Sequence, residues 1–174
     1  MCQLLDSPFI VNLHYTFQTD TELYFVMDPC IGGTLFSYLG RLPSWGLLAN
    51  SIKFYISEII IAIEQIHNKD MIFRDLKPEN VLIDIDGHIK LVDFGFSKEL
   101  SQNEMNSSFC GSIEYLPPEM VRGDEYYKSV DFYTIGWVLY RMIVGYPPFW
   151  GPGSEEIYER IVNEPLSFPQ NIEK

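Results

Sequence analysis

The residues of this chain best suited to chemistry fall in two short runs. Arg74-Asp75-Leu76-Lys77-Pro78-Glu79-Asn80 is followed, after a strand-like Val81-Leu82-Ile83, by Asp93-Phe94-Gly95. Two carboxylates and a carboxamide, Asp75, Asp93 and Asn80, thus accompany one lysine, Lys77, on a loop between short strands. Phosphoryl transfer calls for such parts: a carboxylate to orient an attacking hydroxyl, oxygen ligands for magnesium, and a cation against the charge of the moving phosphoryl group. Any one of these residues alone is explained by turn chemistry, which favours Asp, Asn and Pro. That explanation does not cover the ordered set, with Asp93 eighteen residues after Asp75.

Several elements must hold those runs in place. Phe9–Phe17 and Leu23–Met27 alternate β-branched and aromatic residues around a polar Gln18–Glu22 turn, which predicts a hairpin. Pro29 and Gly32-Gly33 break its second strand. A short helix is expected near Thr34–Leu39, then a loop through Pro43 and Gly46. Asn50–His67 has helical spacing: Ile52, Tyr55, Ile56, Ile59, Ile60, Ile63 and Ile66 form the apolar face, with Lys53, Ser57, Glu58 and Glu64 between them. Seven isoleucines give this stretch poor helix propensity, so burial must hold it. Met71–Val92 reads as short strands and tight turns, including Asp86-Gly87. Ser129–Gly145 is a second apolar helix and Ser154–Asn163 an amphipathic third. The predicted class is α+β, mostly helical.

The length of 174 residues, 47% of them hydrophobic, suits one ordinary domain with a core that needs no disulfide or metal staple. No apolar run reaches the roughly 20 residues of a membrane-spanning helix. Met1–Ile10 lacks a basic segment followed by an apolar one, so no secretory signal is expected. Cys2, Cys30 and Cys110 lie far apart, which argues against a zinc site or disulfide framework and for a reducing cytoplasm, with the nucleus as the other candidate. Twelve basic against twenty-four acidic residues give a formal charge of −12. Nucleic acid and anionic membrane are repelled in bulk, so neither is expected as a partner; basic partners are favoured.

The sequence resembles the eukaryotic protein kinases along its whole length, and within them the AGC group of Ser/Thr kinases. Residues 74–80 look like the catalytic loop, with Phe73 where most kinases have His. The resemblance makes Asp75 the catalytic base, has Lys77 contact the transferred phosphate, and has Asn80 and Asp93 hold magnesium. It implies ATP and Mg2+ as cofactors and a protein or peptide as substrate. The hairpin exit becomes the adenine-binding hinge: Met27 the gatekeeper, Asp28 and Cys30 the backbone contacts, and Leu82 the floor under the ring, supported by Val81, Ile83, Leu35, Val138 and Met142. Leu13, Phe73 and Phe94 would stack into an apolar column, and Asp131 would brace the catalytic loop backbone.

Ser107 through Glu119 resembles the AGC activation segment, with Pro117 in place of Ala near its end. Ser108 sits where the group carries an activating phosphate, Arg74 and Lys98 match the cations that receive it, and an upstream activating kinase is thereby implied. Phe109, Ile113 and Leu116 suggest an apolar pocket for the residue after the phosphoacceptor, and Glu79 a contact for a substrate arginine. Ser112 replaces a threonine whose hydroxyl touches the catalytic aspartate, and Phe132 a usual Trp. Gly145–Phe149 and Ile157–Val162 look most like the cyclic-nucleotide-dependent members, with ribosomal protein kinases nearly as close.

On this reading residues 1–28 are a remnant small-lobe hairpin, and residues 29–174 the hinge and helical large lobe, incomplete at the C-terminus. No Gly-x-Gly-x-x-Gly and no Val-Ala-x-Lys strand occur, and no later helix brings an arginine to Glu119. The chain alone is therefore expected to bind ATP poorly and to catalyse little. Thr34 and Arg141 stand where basic-directed members have glutamates; Arg141 reverses the sign and could pair with Glu79, so a weaker demand for substrate arginine is expected. The reading is a Ser/Thr kinase catalytic region, supported by the intact Asp75, Lys77, Asn80 and Asp93. The alternative is a non-catalytic, kinase-like interaction module, supported by the missing ends, Arg141, Thr34 and Pro117.

Overall fold

The computed structural model describes residues 7–42, 46–100, 106 and 110–170. Leu13–Gln18 (β1) and Leu23–Met27 (β2) pair antiparallel, with Gln18 opposite Leu23. The Thr19 hydroxyl closes the turn by accepting the Glu22 N–H at 3.1 Å. The strand begins later than the alternation predicts. Ile10 and Val11 are both buried, 1% and 2% exposed, so this consecutive apolar pair breaks the period of two. Ile10 instead bridges parallel to Leu91: the Leu91 N–H donates to the Phe9 carbonyl at 2.8 Å and the Val11 N–H to the Leu91 carbonyl at 3.0 Å.

The glycines after the hairpin do not simply end a strand. Gly33–Thr34 (β3) pairs with Val81–Ile83 (β5), which pairs with Ile89–Leu91 (β6). Gly32 is needed for this approach: its N–H donates to the Ile83 carbonyl at 2.9 Å, and a Cβ there would lie 2.7 Å from that same oxygen. Thr34 then caps Leu35–Gly40 (α1), its hydroxyl accepting the Ser37 N–H at 3.0 Å.

Ala49–His67 (α2) and Ser129–Val144 (α4) are the two long helices and both contribute to the main core. On α2 the buried apolar positions are Ile59, Ala62, Ile63 and Ile66, whereas Ile60, expected inward, is 47% exposed. Glu58, expected outward, is buried because it has a polar task. It accepts the His88 ring N–H at 2.6 Å and the Ile89 N–H at 2.9 Å, and the first of these bonds holds the His88 imidazole above its usual range. Met71–Ile72 (β4) pairs with Lys98–Glu99 (β7). Pro118–Arg122 (α3) and Ser154–Asn163 (α5) pack together beyond α4. Among the described residues no helix is long and apolar enough to cross a membrane. This is the α+β architecture expected.

Candidate active site

The site is built outward from Asp131. This carboxylate, in the first turn of α4, is fully buried and accepts three hydrogen bonds. They come from the Phe73 N–H at 2.9 Å, the Arg74 N–H at 2.8 Å and the His67 Nε2–H at 2.7 Å. It thereby fixes the start of the loop, where Arg74 holds a left-handed φ of 68°. The expected brace is present, and His67 is a partner of it that sequence reading missed.

Asp75, 2% exposed, follows directly. Its Oδ2 accepts from Lys77 Nζ at 2.8 Å and from Asn80 Nδ2 at 2.8 Å, while Nδ2 also donates to the Asp75 carbonyl at 2.9 Å. Lys77 donates as well to the Ser112 hydroxyl at 2.8 Å, and that hydroxyl lies 3.5 Å from Asp75 Oδ1. Among the described residues one carboxylate oxygen is therefore doubly held and the other has a single long contact. The segment bearing Ser112 passes close overhead at Gly111, with φ 100° and only 3.1 Å between a would-be Cβ and the Arg74 carbonyl. A side chain at 111 would be both strained and crowded.

Asp93 is exposed, has φ 63° and accepts the Gly95 N–H at 3.2 Å. The preceding Val92 N–H donates to the Asn80 carbonyl at 3.0 Å, which brings its backbone beside the loop. Phe94 packs edge-on against Phe73, ring centres 5.2 Å apart, as two members of the predicted apolar column; Leu13 is not part of the buried core. The donors suit magnesium. Both Asn80 amide hydrogens serve Asp75, which leaves its Oδ1 as an acceptor, and the Asp93 carboxylate is open: hard oxygen ligands of the kind Mg2+ takes together with phosphate and water. Among the described residues no group of three or more His, Cys, Asp or Glu could hold a metal by itself.

At the hinge, Met27 ends β2 half-exposed. The Asp28 carboxylate accepts from Asn12 at 2.8 Å and His14 at 2.6 Å, bonds that hold it below the usual carboxylate range. The Cys30 thiol, raised by burial, contacts the Asp28 carbonyl at 3.9 Å. Leu82 is half-buried between the buried Val81 and Ile83, so it alone of the three faces outward, while Leu35, Val138 and Met142 are fully buried in the core.

The peptide-side residues are arranged differently from expectation. Glu79 does not pair with Arg141. Both its oxygens accept from the Tyr115 hydroxyl, at 3.0 and 3.2 Å, and the Tyr115 ring is itself anchored by its contact with Trp137. Burial, reinforced by Glu79, drives the Tyr115 hydroxyl far above its usual range. Leu116 is 2% exposed within a cluster with Ile72, Met120 and Tyr126, so it is core rather than the wall of an open pocket; Ile113 is half-buried against Phe149 and Ile157. Glu119 is half-buried and forms no ion pair among the described residues. With burial, its charge pushes the neighbouring Tyr133 up to about 12.

Ser108 and Phe109 lie outside the described residues. Of the cations assigned to Ser108, Arg74 Nε donates to the Phe96 carbonyl at 2.7 Å and its Nη1 to the Tyr126 hydroxyl at 2.8 Å, and Lys98 lies in β7 opposite Ile72. Tyr115 and His67 carried no sequence signal, since each acts through a partner far away in the chain.

The family model described as "Protein kinase domain" matches residues 1–173. The RAC family serine/threonine-protein kinase homolog of Dictyostelium discoideum is 42% identical over 172 residues, covering 98% of this chain and 38% of that protein. Serine/threonine-protein kinase Sgk1 of Homo sapiens is 45% identical over 166 residues, covering 95% of this chain and 38% of that protein. Serine/threonine-protein kinase sck1 of Schizosaccharomyces pombe is 44% identical over 172 residues, covering 96% of this chain and 24% of that protein. These relatives are AGC-type Ser/Thr kinases, the group read from the motifs. The chain spans less than two-fifths of the length of each.

Proposed function

Because the chain belongs to the protein kinase family, we propose that it is the catalytic region of a serine/threonine kinase that phosphorylates protein hydroxyls. The observation that carries this reading is the state of Asp75. Among the described residues Lys77 and Asn80 fix its Oδ2 while its Oδ1 meets only the Ser112 hydroxyl at 3.5 Å, so this buried carboxylate keeps acceptor capacity on one oxygen for a substrate hydroxyl. Mg-ATP, when bound, supplies the γ-phosphoryl group and the divalent charge that offsets its oxygens. Asp75 Oδ1 orients the acceptor hydroxyl and takes its proton. Lys77, between Asp75 and Ser112, puts a positive charge where the phosphoryl oxygens would pass. Asn80 Oδ1 and the Asp93 carboxylate would hold the magnesium.

The second reading, a kinase-like interaction module, draws support from the charge at Arg141 and from Thr34, whose hydroxyl serves as a helix cap. Melting of the chain with and without millimolar Mg-ATP separates the two. The expected result is a rise of a few degrees, absent with ATP and EDTA and absent in Asp93→Asn. Any phosphate transfer to a serine peptide should be slow and should vanish in Asp75→Asn. No rise at about 10 mM Mg-ATP overturns the catalytic reading.

A further inference from the structure

Arg141 lies in the last turn of α4, half-buried, and among the described residues its side chain has no ion pair or hydrogen bond. Other cations of the molecule are engaged: Lys77 with Asp75, Lys128 with Asp70, Arg160 with Glu156. Its position follows from helix geometry. Trp137 and Arg141 are four residues apart and so share a face of α4. The Tyr115 ring packs on Trp137 with centres 4.0 Å apart, and its hydroxyl covers Glu79. The Arg141 charge is felt at that phenol. Tyr115 is three residues from Ser112, which touches Lys77 and Asp75. Tyr115 thus stands between a carboxylate that is already occupied, Glu79, and a guanidinium that is not, Arg141, three residues along the chain from the hydroxyl that contacts Asp75.

We infer that Arg141 is a docking cation that selects an anionic side chain, carboxylate or phosphate, in the peptide presented to Asp75. The guanidinium fork matches either group through paired N–H donors, and partial burial strengthens the contact. The inference rests on the kinase reading and names the substrate class of that same site.

The test is fluorescence anisotropy of the 174-residue chain with labelled serine peptides. Asp, phosphoserine, Ala or Arg is placed in turn at each of the five positions on either side of the serine. At one position an anion should tighten binding about tenfold over Ala, the effect of one charge-assisted contact. Arg141→Gln should abolish the gain, Arg141→Glu should invert it toward Arg, and Arg141→Lys should keep part of it while leaving the melting temperature unchanged. A gain with phosphoserine alone assigns the anion to a prior phosphorylation; a gain with Asp as well assigns it to an acidic sequence. Arg preferred at every position, no discrimination or binding at all, or anion preference that survives Arg141→Gln, overturns the inference. Mg-ATP melting on the same sample keeps the two ideas apart. A thermal shift without anion selection sinks only the role of Arg141, and anion selection without a shift sinks only the kinase.

Discussion

Removing the Asp131 carboxylate would leave the Phe73 and Arg74 N–H groups buried without acceptors and strip His67 of its partner. Each unsatisfied buried donor costs about 1–3 kcal/mol, so Asp131→Ala should lower unfolding stability by about 3–5 kcal/mol. Asp131→Asn should cost less, since its one carbonyl oxygen still accepts from one N–H. Urea unfolding followed by tryptophan fluorescence measures both. A loss below about 1 kcal/mol for the alanine variant would mean that the left-handed Arg74 is held by something other than this carboxylate. The same residue, together with the fully buried Phe73 and Leu76, keeps the loop rigid enough to present Asp75. Two backbone donors and a histidine converge on one fully buried group, so the loop cannot drift without breaking them together.

The helix α2 shows what side-chain pattern decides and what it leaves open. Ile59 and Ile63 are at most 1% exposed, while Ile60 and Ile61 are 47% and 39% exposed. Ile63→Ala should therefore cost about 2–5 kcal/mol, whereas Ile60→Ala should cost under about 1 kcal/mol, because the better helix propensity of alanine offsets the small apolar area that isoleucine keeps from water there. Chemical denaturation of the two variants checks the contrast, and equal destabilisation would place Ile60 in the core. The sequence pattern could not separate these positions. A run of three isoleucines satisfies several helical faces at once, and small Ala62 gives no hydropathic signal for burial. Glu58 failed for a related reason: a carboxylate reads as solvent-facing unless its donors, here His88 and Ile89 thirty residues on, are known. By contrast the loop from Arg74 to Asn80 and the Asp93 turn were legible because their residues are contiguous and their order is constrained by one geometry. The contacts that position them, His67 to Asp131 and Glu79 to Tyr115, span 64 and 36 residues and leave no local trace.

Across the whole molecule the dominant electrostatic fact is the charge of −12, which the few ion pairs between described residues do not neutralise. Like charges repel more strongly in the compact state than in the expanded chain. Raising ionic strength from 0.01 to 0.15 M shortens the screening length from about 30 to about 8 Å, which suppresses long-range repulsion more than contacts near 2.8 Å such as Lys77 to Asp75. The melting temperature should thus rise over that range, by about 2–4 °C if roughly 1 kcal/mol of repulsion is relieved. A fall would show that the ion pairs outweigh the net repulsion. The same field acts on whatever approaches Arg141. An anionic peptide comes in against it, so its association with this site should strengthen, not weaken, between those two ionic strengths, while an arginine-bearing peptide drawn by net charge alone should do the reverse. Anisotropy titrations at about 0.01 and 0.15 M salt distinguish a local contact from a bulk field, because only a local cation can favour an anion on a surface whose total charge repels it.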